Sequence, residues 1–164
     1  MNIRKTTLED GAEVADVYNY YIQNTHHTFE TDPLGADEMR KRIEEVCEDY
    51  PFLVAEEDGK VLGYAYATQF KLRQAYEYAA EVSIYVRNAA KQKGIGSQLY
   101  MRLFEELSET DIHAVVAGIS LPNDASVSFH ERLGFEKVAH FKEVGYKLGR
   151  WIDVGYWEKI LKVY

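Results

Sequence analysis

A single cysteine, Cys47, occurs in 164 residues, so no intrachain disulfide can staple the chain. A reactive thiol needs an activating neighbour, yet the surrounding run Glu44-Glu45-Val46-Cys47-Glu48-Asp49 offers only negative charge, which raises a thiol pKa. Cys47 is therefore expected to be an inert helical residue. A surplus of basic charge is also missing: 19 Lys and Arg face 27 Asp and Glu, for a net charge of −8. Nucleic-acid binding draws on such a surplus, so nucleic acid is not an expected partner. No apolar run is long enough to span a bilayer, and Met1-Asn2-Ile3-Arg4-Lys5 runs into structured pattern rather than a signal peptide. A soluble, cytoplasmic protein with no membrane partner is expected. Linkers, repeats and low-complexity tracts are lacking, so residues 1–164 are read as one domain. His26, His27, His113 and His140 stand without carboxylate or thiolate spacing around them, and no metal site is expected.

What is present reads as alternating strands and helices. Asn2 to Thr6 suits a strand. Thr7 and Asp10 are spaced as in a capping box, before a helix carrying Val14, Ala15, Tyr18, Tyr21 and Ile22 on one face. Thr25 to Pro33 reads as a loop. A second helix follows, capped by Asp37 and ended by Pro51. Phe52 to Ala55 and Val61 to Ala67 form a hairpin closed by Asp58-Gly59. Glu81 to Val86 is a strand, Gly94 opens a helix to about Leu107, and Ala114 to Ile119 is a buried strand. Asp124 to Leu133 is a short helix closed by Gly134, and Phe135 to His140 and Val154 to Lys159 complete the strands. The order β-α-α-β-β-β-α-β-α-β-β is mixed α/β, with one βαβ crossover from Glu81 to Ile119.

The sharpest motif is Lys91-Gln92-Lys93-Gly94-Ile95-Gly96-Ser97, between a strand and a helix. Glycines let backbone N–H groups approach a phosphate, and a helix start presents unsatisfied N–H groups and the positive end of its dipole. Arg87, Lys91 and Lys93 add positive charge. The P-loop signature is absent, and Leu99 stands where a dinucleotide fingerprint needs its third glycine.

On this motif the chain resembles the GNAT acetyltransferases, whose pyrophosphate loop reads Gln/Arg-x-x-Gly-x-Gly/Ala. Lys91, Gly94 and Gly96 fall on that spacing, with Lys91 in place of the usual Gln or Arg. Asn123, His130 and Gly134-Phe135 match a second family element, in which His130 replaces the usual tyrosine. Within the family the chain resembles the phosphinothricin N-acetyltransferases, the herbicide-resistance enzymes, and their methionine sulfoximine-acetylating relatives. The likeness is carried by residues 71–76, 80–86, 121–131 and 149–157. It implies a GNAT fold, a mixed and mostly antiparallel sheet flanked by helices. It also implies direct acetyl transfer from acetyl-CoA to the amine of a small amino-acid-like substrate, and a homodimer.

The resemblance assigns roles residue by residue. Glu81 is the expected general base, because an amine attacks only when neutral and a carboxylate with a raised pKa can take its proton. Ile84, Tyr85 and Val86 are expected to hold the acetyl group and pantetheine by main-chain bonds. Lys91, Gln92, Lys93, Gly94, Ile95, Gly96 and Ser97 are expected around the pyrophosphate, and Asn123 on the pantetheine arm. His130 is open between donating a proton to the departing thiolate and packing the last helix against the sheet. Lys71 and Arg73 are candidates for an anionic substrate group, and Phe29 and Tyr76 for pocket walls. Two rivals stay open: acetylation of a protein N-terminus or other metabolite amine, and a catalytically silent acyl-CoA-binding module.

Overall fold

An apolar run without alternation needs cover on both faces, and Phe52-Leu53-Val54-Ala55 has it, with all four residues buried. In the computed structural model, which describes residues 1–91 and 94–162, this run lies in β2 (Phe52–Glu57). The other strands are β1 (Asn2–Lys5), β3 (Lys60–Gln69), β4 (Ala79–Val86), β5 (Ala114–Leu121), β6 (Glu136–Lys147) and β7 (Arg150–Ile160). The helices are α1 (Gly11–Asn24), α2 (Ala36–Cys47), α3 (Ile95–Ser108) and α4 (Asp124–Arg132). The strands form one seven-stranded sheet in the order β1-β2-β3-β4-β5-β7-β6. Every neighbouring pair is antiparallel except β4 and β5, which are parallel and joined through α3.

Alternation along the strands builds two cores. Leu53, Ala65, Val82, Val115 and Trp157 meet Leu99, Leu103 and Leu107 of α3 on one face. Val54, Tyr64, Phe52 and Tyr85 meet Val14, Tyr18 and Ile22 of α1 and Ile43 of α2 on the other. Each fully buried leucine or isoleucine contributes about 1.5–3 kcal/mol relative to exposure. Of the three clustered tyrosines of α1, Tyr18 and Tyr21 are buried and Tyr20 is exposed.

The order of elements is the expected one, with some boundaries moved. The helix cap expected at Asp37 is Gly35, and Asp37 lies in the first turn, where its charge suits the helix dipole. The final strands are longer than Phe135 to His140 and Val154 to Lys159. Together they form a long hairpin turning at Leu148 and Gly149, both at positive φ. Its alternation is hidden because β6 shifts register between Phe141 and Gly145, as a bulge does. No described helix is long and apolar enough to cross a membrane.

Candidate active site

The register of β4 and β5 ends early. Ala79 pairs with Ala114, Ala80 with Val115 and Glu81 with Val116; beyond that both strands continue unpaired with each other, to Val86 and Leu121. They part over a cavity of about 520 Å³, a size suited to a small ligand or part of a cofactor. Strand residues alternate the side to which they turn their peptide groups. The Tyr78 carbonyl accepts from the Ala114 N–H of β5, so even-numbered residues of β4 face β5. Past the parting, Val82, Ile84 and Val86 therefore turn peptide groups into the gap. The Val86 carbonyl accepts from the Tyr21 hydroxyl at 2.5 Å. Tyr85, by the same alternation, turns its peptide groups toward β3. What it brings to the site is its ring, packed edge-on against Tyr18 and Tyr21.

The far end of the cavity is closed by the start of α3. Gly94, Ile95, Gly96, Ser97 and Lys91 all line it. Gly94 stands at φ +74, a conformation that glycine adopts without steric cost. The first helical bond runs from Gln98 N–H to the Gly94 carbonyl, leaving the N–H groups of Ile95, Gly96 and Ser97 without helical acceptors. Gly96 serves a different need. A Cβ there would stand 3.3 Å from the Phe129 ring and 3.5 Å from the Ile84 side chain, so the missing side chain lets α3 approach α4 and β4. Ser97 lies in the first turn of α3, three residues after the Gly94 cap. The Lys91 ammonium lies 5.2 Å from the Tyr21 ring centroid. Arg87 does not add to this charge as expected, because its guanidinium is held by Glu13 and Asp16 of α1. Gln92 and Lys93 lie outside the described residues.

Glu81 occupies the last paired position before the strands part. Its Oε1 lies 3.8 Å from where a Cβ of Gly118 would be, and the Tyr156 ring approaches the same point to 3.3 Å. A side chain at 118 would fill the space in front of the carboxylate. No hydrogen bond or ion pair to a described residue holds Glu81, and burial alone pushes its pKa up. A carboxylate that is partly desolvated and has no partner is equipped to accept a proton.

His130 is 3% exposed, with its ring against Tyr100, Phe129 and Phe135. Its Nδ1 lies 2.8 Å from the Ser126 carbonyl oxygen, which only accepts, so Nδ1 carries the proton. Nε2 then accepts from the Tyr100 hydroxyl at 3.1 Å. Burial also pushes the imidazole pKa below its usual value. Of the two roles open for His130, this placement favours packing. Asn123 lines the cavity and also caps α4, accepting from Ser126 N–H, which leaves its amide N–H₂ free to donate.

Neither Glu81 nor the four residues expected at the substrate are among those lining this cavity, although Glu81 borders it through Gly118. Lys71 and Arg73 are exposed on the β3–β4 connection, with the Lys71 ammonium 5.2 and 5.3 Å from the ring centroids of Phe70 and Tyr76. Phe29 lies over Gly145 of β6, so closely that a Cβ there would meet its ring at 2.3 Å. The loop between α1 and α2 thus covers β6 and β7. Lys147 ties it down by donating to the Thr28 carbonyl at 2.8 Å, and Arg150 does so through His26 Nδ1 at 2.7 Å. Sequence reasoning missed Tyr100, Tyr156 and Ser120. The available signal for Ser120 is one hydroxyl in an otherwise apolar strand.

The Acetyltransf_4 family model, described as an acetyltransferase (GNAT) domain, matches residues 3–155. A phosphinothricin N-acetyltransferase of Streptomyces viridochromogenes is 40% identical over 97% of this chain and 87% of its own. An L-methionine sulfoximine/L-methionine sulfone acetyltransferase of Salmonella typhimurium is 36% identical over 94% of this chain and 91% of its own. Among solved structures, a GNAT superfamily phosphinothricin acetyltransferase from Sinorhizobium meliloti, in complex with AcCoA, superposes with a TM-score of 0.93. It is 32% identical, over 97% of this chain and 87% of its own.

Proposed function

The chain belongs to the GNAT acetyltransferase family, and from that premise we propose that it transfers the acetyl group of acetyl-CoA to the amine of a small amino acid or close analogue. Phosphinothricin, methionine sulfoximine and methionine sulfone are the model acceptors. The observation that carries this reading is the position of Glu81. It stands at the fork of β4 and β5, with its pKa raised and no side-chain partner among the described residues, beside Gly118, which lines the cavity that reaches the start of α3. A protein that only bound the cofactor would have no use for a base there.

In this reading the pyrophosphate rests on the N–H groups of Ile95, Gly96 and Ser97, with Lys91 alongside, and the pantetheine arm runs between the parted strands past Asn123. Peptide groups of Ile84 and Val82 fix the thioester, and an N–H from this stretch stabilises the oxyanion as it forms. Glu81 takes a proton from the acceptor ammonium, directly or through one water. The neutral amine attacks the thioester carbon, and the tetrahedral adduct expels CoA thiolate, the surplus proton on nitrogen passing to the thiolate or to solvent to leave the neutral amide and CoA. No enzyme nucleophile is needed: Cys47 lies at the end of α2, and burial pushes its thiol pKa up. The cytoplasm is the compartment that this co-substrate implies.

Thiol release from acetyl-CoA tests the reading. Release is expected with phosphinothricin, methionine sulfoximine or methionine sulfone, and little with short peptides. A preference for peptides would move the assignment to a protein N-terminus. Acetyl-CoA binding with no release on any amine would mean a silent binding module.

We also propose a homodimer. Val138, Phe141, Val144, Tyr146, Leu148 and Trp151 of the β6–β7 hairpin are 50–63% exposed, a crowding of apolar groups on one sheet edge that marks interaction surfaces. Light scattering is expected to give twice the chain mass, and Trp151→Asp with Tyr146→Asp to give monomer. A wild-type monomer at micromolar concentration would refute it.

A further inference from the structure

Tyr21 reaches from α1 to the end of β4. It is 6% exposed and lines the cavity. Its hydroxyl donates to the Val86 carbonyl at 2.5 Å. Burial pushes the Tyr21 pKa up to about 12, so the donor proton is kept at neutral pH. The ring stands edge-on to Tyr85, with 5.2 Å between centroids. The Lys91 ammonium lies over the same ring, 5.2 Å from its centroid. One side chain thus joins the last carbonyl of β4 to the cation beside the start of α3.

The end of β4 is already fastened without this bond. The Arg87 N–H donates to the Leu62 carbonyl at 2.7 Å, and its Nε to the Val61 carbonyl at 2.6 Å. Its guanidinium also pairs with Glu13 and Asp16 of α1. Val86 itself is half-buried on the cavity wall, where water can serve a carbonyl. A buried phenol spent on that carbonyl has another use. A bare carbonyl oxygen carries partial negative charge and repels a diphosphate beside it; a donated proton offsets that charge. The same bond ends the run of free peptide groups along β4. An extended arm can pair with Ile84, but it finds the Val86 carbonyl taken. We infer that Tyr21 is a positioning residue for acetyl-CoA. Its hydroxyl masks the Val86 carbonyl and its ring steadies Lys91, so that the pantetheine arm leaves β4 at Val86 and the pyrophosphate meets the start of α3. This rests on the acetyl-CoA reading proposed above.

The test uses Tyr21→Phe, which removes the hydroxyl and keeps the ring. CoA affinity is measured by calorimetry, and kcat/KM with acetyl-CoA and with S-acetyl-pantetheine, the same arm without the nucleotide. Tyr21→Phe is expected to weaken CoA binding by about fivefold to fiftyfold, the range for a carbonyl left unpaired. With acetyl-CoA the loss should fall on KM rather than kcat, as for an interaction that binds without taking part in the chemistry. S-acetyl-pantetheine has no phosphate to misplace, so its kcat/KM should be alike in the two proteins. Tyr21→para-aminophenylalanine, which restores a donor, should recover most of the affinity. In Tyr21→Leu, where the ring is lost too, Lys91→Ala should cost less CoA affinity than it does in wild type, because coupled residues are not additive. Unchanged CoA affinity in Tyr21→Phe would overturn the inference. So would an equal loss on both donors, since a tyrosine that only packs α1 against the sheet harms the two alike. A Tyr21→Phe protein that does not fold would assign the hydroxyl to stability and end the inference. Full additivity of Tyr21→Leu and Lys91→Ala would refute the part given to the ring. A wild type that binds neither CoA nor acetyl-CoA would instead fail the proposed function, and this inference with it.

Discussion

Glu81→Gln is expected to lower the rate of thiol release at neutral pH by about a hundredfold to ten-thousandfold, the range of a positioned general base. Acetyl-CoA affinity should hardly change, because the groups proposed to grip the cofactor, the start of α3, Lys91, Asn123 and the peptide groups of β4 beyond residue 81, do not include the Glu81 side chain. The pH dependence gives a second readout. Burial raises the Glu81 pKa, so the rising limb of the wild-type rate should lie above the usual carboxylate range. In the variant that limb should vanish, leaving the ionisation of the acceptor amine. Stability should move the opposite way. A carboxyl with a raised folded-state pKa binds its proton more tightly folded than unfolded, so stability is lost as pH rises from the unfolded value through the folded one. Above that window wild type carries a desolvated charge that glutamine lacks. Glu81→Gln should therefore melt higher than wild type at neutral pH, with the gain disappearing in acid. A variant that is less active and more stable would match a strained catalytic carboxylate. An unchanged rate would remove Glu81 from the chemistry.

Much of the frame was legible because each signal was local. Asp58-Gly59 announces a hairpin, and both residues are at positive φ. Leu99, Leu103 and Leu107 are spaced by four and share one buried face of α3. Lys91, Gly94 and Gly96 could be read as a turn before a helix, although the two glycines answer different demands, one conformational and one steric. What stayed hidden depends on contacts between distant segments. The fork of β4 and β5 is a matter of where pairing stops, and nothing in either strand's composition changes at Glu81 or Val116. Arg87 looks like a phosphate ligand beside Lys91 until α1 brings Glu13 and Asp16 against it. Lys71 and Arg73 stand exposed on the β3–β4 connection, with the Lys71 ammonium beside the rings of Phe70 and Tyr76, a placement that charge spacing alone does not foretell. Glu81 was assigned by resemblance, and only the fold gives a physical reason, an unpartnered carboxylate facing a residue without a side chain. The extension of β6 and β7 was obscured by the irregular pairing around Glu143, which has φ +54.

His130→Ala is expected to affect the fold more than the chemistry. The imidazole links Tyr100 to the Ser126 carbonyl, and Tyr100 is fully buried. Removing it leaves the Tyr100 hydroxyl without its acceptor and opens a void among three aromatic rings. Together these should cost about 3–5 kcal/mol, a large share of the roughly 5–15 kcal/mol that holds a typical domain folded. At about 2–4 °C per kcal/mol for a chain of this size, the melting temperature should fall by roughly 6–20 °C. His130→Phe, which restores the ring but not the hydrogen bonds, should recover part of the loss. The pH slope separates this role from catalysis. Burial lowers the His130 pKa, so the unfolded chain binds this proton more readily than the folded one. His130 therefore makes wild-type stability fall as pH drops below about 6.5, the ordinary histidine value, and the alanine variant should lack that component. Turnover, measured well below the variant's melting temperature, should stay within about tenfold of wild type. A thiolate donor would behave otherwise, since loss of general-acid catalysis costs about a hundredfold or more and alters the pH–rate profile. A collapse of kcat in a variant that is still folded would show that the imidazole, through Nε2 and the Tyr100 hydroxyl, delivers the proton after all.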